Sequence, residues 1–471
     1  MHTHDGAFYI SVLALTGIFA GTVLRVSDFF VLAGICLLAF LTLFIAFLTK
    51  EKKFWAVLAA LLFFFFFGFL YGQNFVLKSA GKYPEFNKAK TYFSGQAEGE
   101  PIFKGKSLAF YLTLEKPYQG KIKIYTDIFS EIKKGDKVSF SGIVKTTEYG
   151  EVVSFFPKIE KREEGKTGIL SGFREKIISG LKMFLPEKEA ALASGLTLGD
   201  RKNFSEEFKN NLSKSGTTHI VALSGYNITI IVMAAGLVFG YFFKKGIAFF
   251  FSLILIIIFT IMVGGEPSIV RAAIMGGIAL FAAKTERLYS ARNAIAISAL
   301  LMAIFNPLSL KEPGFQLSFF SLIGIVYFLP AIKNFLPAYF SAPSFLNWKE
   351  NLLTTMAAQM AVLPLVFYYF GAFSILSFLS NILILEFVPY AMLFSFFTGF
   401  FSLFSNFGEF ASWVFSFPAY FILKYQISVI DFFAEKSWLI KMEDFGITAT
   451  IVFYALIFLI VYVFYNREND R

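Results

Sequence analysis

The chain has 471 residues, 56% of them hydrophobic and 19% aromatic but only 16% charged, a balance that excludes an ordinary soluble globular domain and makes the bilayer the main solvent. The formal net charge of +10 fits either an anionic partner or the Lys and Arg that short cytoplasmic loops collect to fix topology. The single cysteine, Cys36, lies in an apolar run, which excludes an intrachain disulfide framework and a cysteine-based metal site.

Apolar runs long enough to span about 30 Å of hydrocarbon, roughly 17 to 25 residues each, stand near 8–24, 29–48, 54–71, 219–240, 246–264, 268–283, 293–305, 315–331, 352–370, 373–403, 409–425 and 446–465. They predict a polytopic α-helical membrane protein of about 10 to 13 spans. Run 293–305 is short, 268–283 carries Arg271, and 373–403 holds Glu386 and Pro389, which predicts a broken or re-entrant pair. The first run lacks a basic leader and a small-residue cleavage site, so it is expected to stay as an anchor. The expected organisation is membrane helices over 1–81, a soluble domain over 82–166, amphipathic or interfacial helices over 167–218, a membrane core over 219–465 and a polar tail over 466–471.

Within 82–166 charges are frequent and hydrophobicity alternates. Tyr92 to Glu98, Leu108 to Glu115, Lys121 to Asp127, Lys137 to Val144 and Val152 to Ile159 each read as a strand, separated by Gly, Pro, Lys and Asp turns. Five short strands predict a small closed β-barrel, and Lys134-Gly135-Asp136-Lys137-Val138 is the sort of turn that opens a strand in OB-folds. With 16 Lys and Arg against 12 Asp and Glu, the basic excess is mild and by itself points to no particular partner. Next, Ile169, Leu170, Phe173, Ile177, Leu181 and Phe184 recur at helical spacing, with Arg174, Lys176 and Lys182 elsewhere on the wheel. That pattern predicts a helix lying in the membrane interface or packed on the barrel. Lys50 to Lys53, Lys244 with Lys245, and Lys284 to Arg292 are the densest short basic loops; simple alternation puts them on one side, the cytoplasm, and the barrel on the outer face.

The informative segment is Gly195-Leu196-Thr197-Leu198-Gly199-Asp200-Arg201, followed by Leu212 to Gly216 and then His219-Ile220-Val221-Ala222-Leu223-Ser224-Gly225-Tyr226-Asn227-Ile228. Polar and small residues interrupt the approach to a membrane span, and groups such as Asp200, Arg201, Ser224 and Asn227 must face water, a partner helix or a lumen. Downstream stand Glu266-Pro267-Ser268-Ile269-Val270-Arg271-Ala272-Ala273-Ile274-Met275, Asn306-Pro307-Leu308, Pro313-Gly314-Phe315-Gln316-Leu317-Ser318-Phe319, Ala358-Gln359, Pro364, Phe370-Gly371 and Asn381. In this order and spacing, over about 85–385, the strings resemble the competence-domain signature of the ComEC family of DNA-uptake proteins.

The resemblance implies a channel that passes one strand of incoming DNA into the cytoplasm across the bacterial plasma membrane, with an OB-like outer domain near the entrance. The partners it implies are single-stranded DNA, membrane lipid, a cytoplasmic motor and a separate nuclease, with a second copy of the chain left open. Many relatives carry a His two residues after the Ser-Gly pair where this chain has Asn227, which removes a titrating or metal-binding role there. Many also end in a metallo-β-lactamase-like domain, whereas this sequence stops at Arg471, shortly after its last apolar run. The string His2-Thr3-His4-Asp5 has no further ligands around it, and no metal or other cofactor is expected.

Arg271 is the sharpest candidate, because an arginine in a span costs about 2.5 to 3.5 kcal/mol unless it meets water or a partner. It reads either as the structural partner of Glu266 or an interfacial snorkel, or as a contact to a lumen or a DNA phosphate. Ser224, Asn227, Gln316, Ser318, Gln359 and Asn381 are either interhelical hydrogen bonds or, as a set on several spans, the lining of a polar path. Asp200 and Arg201 are either a local ion pair capping a helix or, since a carboxylate repels DNA, gating or structural groups, and Gly225 is a further motif or gating candidate. Tyr92, Tyr111 and Tyr125 are candidate platforms for bases in the soluble domain. No nucleophile with its base, Gly-rich phosphate loop or carboxylate dyad has supporting context, so no enzymatic activity is expected. The competing readings are a small-molecule or lipid-linked transporter, for which no internal repeat is found, and a non-conducting membrane scaffold.

Overall fold

A computed structural model describes residues 3–24, 52–80, 91–104, 107–115, 118, 120–127, 132, 135–146, 152–163, 169–221, 225–286, 288–335, 348–436, 438–442 and 445–457. The chain divides into two compact units, 1–172 with 300–308 and 173–299 with 309–471.

In the first unit, α1 (Thr3–Val23) and α2 (Lys52–Ala80) form a tight pair. Each presents a Gly-x-x-x-Gly step, Gly17 with Gly21 and Gly68 with Gly72, and a Cβ on any of the four would overlap a backbone carbonyl of the other helix. Lipid tails are as apolar as side chains, so helices in a membrane gain by close backbone approach, which small residues permit.

The sheet of this unit has β1 (Thr91–Lys104), β2 (Ser107–Leu114), β3 (Lys121–Asp127), β4 (Lys137–Gly142), β5 (Val144–Thr146), β6 (Val152–Phe155) and β7 (Lys158–Glu163). Their order is β5-β6-β3-β2-β1-β4-β7, an open seven-stranded sheet with β5 and β7 at its ends, in place of the closed five-stranded barrel expected. The alternation located the strands, but two of the five are each cut in half. The fourth breaks at Ile143, and the fifth at Phe156, whose φ is 47°, and Pro157, which has no N–H to donate. Each half pairs with a different neighbour: β4 with β1 and β7, β5 with β6, and β6 also with β3 in parallel. Phe93, Phe110, Leu112, Ile122, Ile124, Val138 and Phe140 alternate inward to form its core.

The second unit is helical. It contains α3 (Ile169–Phe184), most of which belongs here, α4 (Glu187–Leu198), α5 (Glu206–Ser215), the helical turn Thr218–Val221, α6 (Gly225–Phe242), α7 (Lys245–Met262) and α8 (Pro267–Lys284). It continues with α9 (Ala291–Phe305), of which residues 291–299 belong here, α10 (Pro313–Ile323, prolonged through a π turn), α11 (Trp348–Phe370), α12 (Ser377–Leu385), α13 (Val388–Phe401) and α14 (Phe407–Glu435). Among the described residues seven helices are long and apolar enough to cross a membrane. An eighth span results if α12 and α13, bent by 50° at their junction, count as one broken crossing. The chain is therefore a polytopic helical membrane protein. The expected run 29–48 lies outside the described residues, and 293–305 falls in the 15-residue α9. Short strands β8 (Ala372–Ser374) and β9 (Leu439–Lys441) pair just ahead of α12.

The amphipathic stripe of α3 has a definite partner, α13. Ile177 and Leu181 are fully buried, Ile177 touches Gly399, and a Cβ on Gly180 would overlap Ser402. At the centre stands α4, buried at every position from Ala190 to Leu198 and sharing one core with α3, α5, α12, α13 and α14.

Candidate functional site

The first motif forms the end of α4. Glu187 and Glu189 in its first turn favour the positive helix end, and Gly199, at φ 68°, closes the other. There the Gly199 and Asp200 N–H groups donate to the carbonyls of Gly195 and Ser194 at 3.0 and 3.2 Å. Two side chains then claim carbonyls of the last turn: Asn227 Nδ2 donates to Leu196 O at 3.1 Å, and Arg174 donates to Leu198 O through Nε at 3.3 Å and Nη2 at 3.2 Å. Arg174 is buried, its Nη2 lies 3.9 Å from Asp200 Oδ1, and Asp200 Oδ2 accepts from Asn203 Nδ2 at 2.9 Å. A cation thus sits at the negative end of a buried helix.

Of the two readings of Asp200 and Arg201, the local ion pair is not formed. Asp200 turns inward to Arg174, while Arg201 reaches Glu266 at 3.5 Å and leaves its buried Nε without a hydrogen-bond partner. Sequence reasoning placed Arg174 on the polar side of its helix. The signal was present, since 174, 177, 178 and 181 follow the i, i+3, i+4, i+7 spacing of one face.

The second centre is Arg271, 7% exposed in the second turn of α8. Its Nη1 donates to the Ser318 carbonyl of α10, its guanidinium lies 5.7 Å from the Phe319 ring centroid, and its Nε has no hydrogen-bond partner. Its Nη2 fills the space that a Cβ on Gly225, the first residue of α6, would need. Glu266, the acidic partner in one reading of Arg271, is engaged by Arg201, and among the described residues no carboxylate pairs with Arg271. Ser318 contributes its carbonyl here. Gln316, two residues earlier in α10, donates to Leu310 O at 3.0 Å in the 3-10 turn that precedes α10 and accepts from Tyr369 Oη of α11 at 2.8 Å. Ser224 lies outside the described residues. The first turn of α6 therefore touches both centres, Arg271 at Gly225 and the end of α4 through Asn227.

A third group surrounds the α12–α13 break. Ser377 Oγ donates to Gln359 Oε1 at 3.4 Å and Ser380 Oγ to Ser215 O at 2.8 Å. Asn381 is fully buried with neither amide atom hydrogen-bonded, and so is Gln426 of α14, at 1% exposure. The Tyr425 hydroxyl, next to Gln426, donates to Leu383 O at 3.3 Å, so the two helices are in contact there. Glu386 at the break accepts from Asn351 Nδ2 at 2.8 Å. Gln426 was missed because it lies just past the apolar run that ends at 425, among Lys424, Ser428 and Asp431, and outside every motif.

In the sheet, strand register puts Tyr92, Tyr111 and Tyr125 on one face. Lys123 Nζ lies 5.1 Å over the Tyr111 ring, and Tyr125 stacks on the exposed Phe155 with centroids 5.0 Å apart. Glu98, held by Lys121 at 2.7 Å, stands opposite Tyr111 on the same face.

The model of one protein family, described as competence protein, matches residues 196–467. Among curated proteins, ComE operon protein 3 of Bacillus subtilis (strain 168) is 32% identical over 238 residues, covering 49% of this chain and 29% of that protein. The match thus spans less than a third of the relative. No solved structure matches the chain.

Proposed function

The chain belongs to the ComEC-type competence protein family, and from that premise we propose that it is the channel through which one DNA strand crosses the bacterial plasma membrane into the cytoplasm during natural transformation. The observation that carries this reading is Arg271: a guanidinium buried in a spanning helix, with no carboxylate partner among the described residues and a glycine making room for it. A structural arginine in hydrocarbon is normally neutralised by an acid; a cation left uncompensated suits a polyanionic cargo. The unpaired amides of Asn381 and Gln426 add to this, since each buried amide without a partner costs about 1 to 3 kcal/mol unless water or cargo satisfies it.

In this reading the aromatic face of the sheet lies outside the membrane and receives the strand, by charge along the backbone and ring stacking on the bases. A cytoplasmic motor supplies the energy, and a nuclease removes the other strand. The decisive measurement is entry of labelled DNA into the cytoplasm of a deletion strain, with and without this chain restored. Restoration of uptake is expected; equal uptake in both strains overturns the channel reading.

A further inference from the structure

Between α7 and α8 the outer surface carries a groove of about 440 Å³, walled by Leu253, Ile257 and Ile261 on one side and Val270, Ile274 and Phe281 on the other. Its one polar side chain, Thr260, spends its hydroxyl on Ile256 O at 2.7 Å, so the wall offers nothing to hydrogen-bond and an occupant must be hydrocarbon. Gly277 lines the floor, where a Cβ would make only ordinary contact with Leu253 at 3.5 Å. From Val270 to Phe281 the helix rises about 16 Å, close to half of the ~30 Å hydrocarbon thickness, which is the depth of one leaflet.

The two ends of the groove differ in charge. At the Val270 end stands the Arg201–Glu266 pair. At the Phe281 end stand Lys244 and Lys245 at the start of α7 and Lys284 in the last turn of α8. Lys284 Nζ lies 4.8 Å over the Phe249 ring, which in turn contacts Phe281, so this lysine overhangs the mouth of the groove. Glu286 is committed to Lys245 at 2.7 Å, which leaves Lys244 and Lys284 without an acidic partner among the described residues. Tyr241 and Tyr289, both exposed, stand in the chain close to Lys244 and Lys284, and aromatic side chains are enriched where a protein passes through the headgroup layer.

We propose that this groove holds one acyl chain of an anionic phospholipid whose phosphate is bound by Lys284 and Lys244. Hydrocarbon fills the leaflet-deep slot and the phosphate meets two cations at headgroup level, the arrangement by which basic pockets between spanning helices select anionic lipids.

The full chain, reconstituted in nanodiscs of equal parts phosphatidylglycerol and phosphatidylcholine with identical acyl chains, is released into native mass spectrometry. Retained phosphatidylglycerol is expected to exceed phosphatidylcholine at least threefold. Lys244→Gln with Lys284→Gln, both at exposed positions, should bring the two lipids to parity, while Gly277→Leu should lower retention of both. Parity in the parent chain means ordinary boundary lipid and overturns the proposal. So does a preference unchanged in the double lysine variant, or efficient disulfide formation between two copies carrying Gly277→Cys, which would make the groove a protein interface.

Discussion

At Arg271 the charge and the shape of one side chain make separable contributions. Lysine keeps the charge but loses the planar fork that reaches Ser318 while resting on Phe319. Arg271→Lys is therefore expected to keep part of DNA uptake, Arg271→Gln less and Arg271→Glu least, all at normal abundance in the membrane. Normal uptake in the Glu variant would remove the residue from the path. Arg174 gives the opposite signature. Its guanidinium serves Leu198 and Asp200 inside the protein, and deleting one partner of a buried pair costs about 3 to 5 kcal/mol. Arg174→Ala should lower the melting temperature and the folded yield in detergent, while Asp200→Asn, which keeps the hydrogen bond from Asn203, should cost less. Of these two arginines the sequence exposed only one: Arg271 stands out against an apolar run, whereas Arg174 sits among other basic residues, and only its phase on the wheel marks it as internal.

The hairpin of α1 and α2 rests on four glycines whose backbones meet a carbonyl of the facing helix. Gly68→Leu should force the helices apart and destabilise the protein by about 1 to 3 kcal/mol, the usual cost of overpacking. Gly6→Leu, in the same hairpin but with nothing within 4 Å of its Cβ position, should leave the melting temperature unchanged. For the sheet, replacing Tyr111 and Tyr125 by Ala should weaken salt-sensitive binding of a thymidine oligonucleotide to the full chain by about 1 to 3 kcal/mol per ring, read by fluorescence anisotropy. Binding equal to the parent would leave these rings a packing role. Elements with a local cause were legible: period-two alternation located the strands, and Glu386 with Pro389 marked the bend between α12 and α13. What stayed hidden was pairing. Nothing local says that the two halves of a strand interrupted at Ile143 or Pro157 will choose different neighbours, because that depends on contacts distant in sequence. For the same reason the stripe of α3 was visible while its partner α13 was not.

For the whole molecule, the orientation rests on the basic loops. A single cysteine introduced by Lys158→Cys should react with an impermeant maleimide on intact cells, whereas one introduced by Lys244→Cys should react only after permeabilisation. Labelling of the Lys244→Cys variant but not of the Lys158→Cys variant from outside would invert the topology and place the tyrosine face away from the incoming strand. An open sheet has a further consequence for a protein confined to a membrane plane, where copies meet repeatedly in the same orientation. Exposed strand edges under those conditions would recruit one another into ladders running from molecule to molecule. The two ends of this sheet are poor templates for that: β5 is only three residues long, and β7 reads Lys-Ile-Glu-Lys-Arg-Glu, with its single apolar side chain flanked by charge. Copies crowded in one membrane plane are therefore expected to resist joining edge to edge through these sheets.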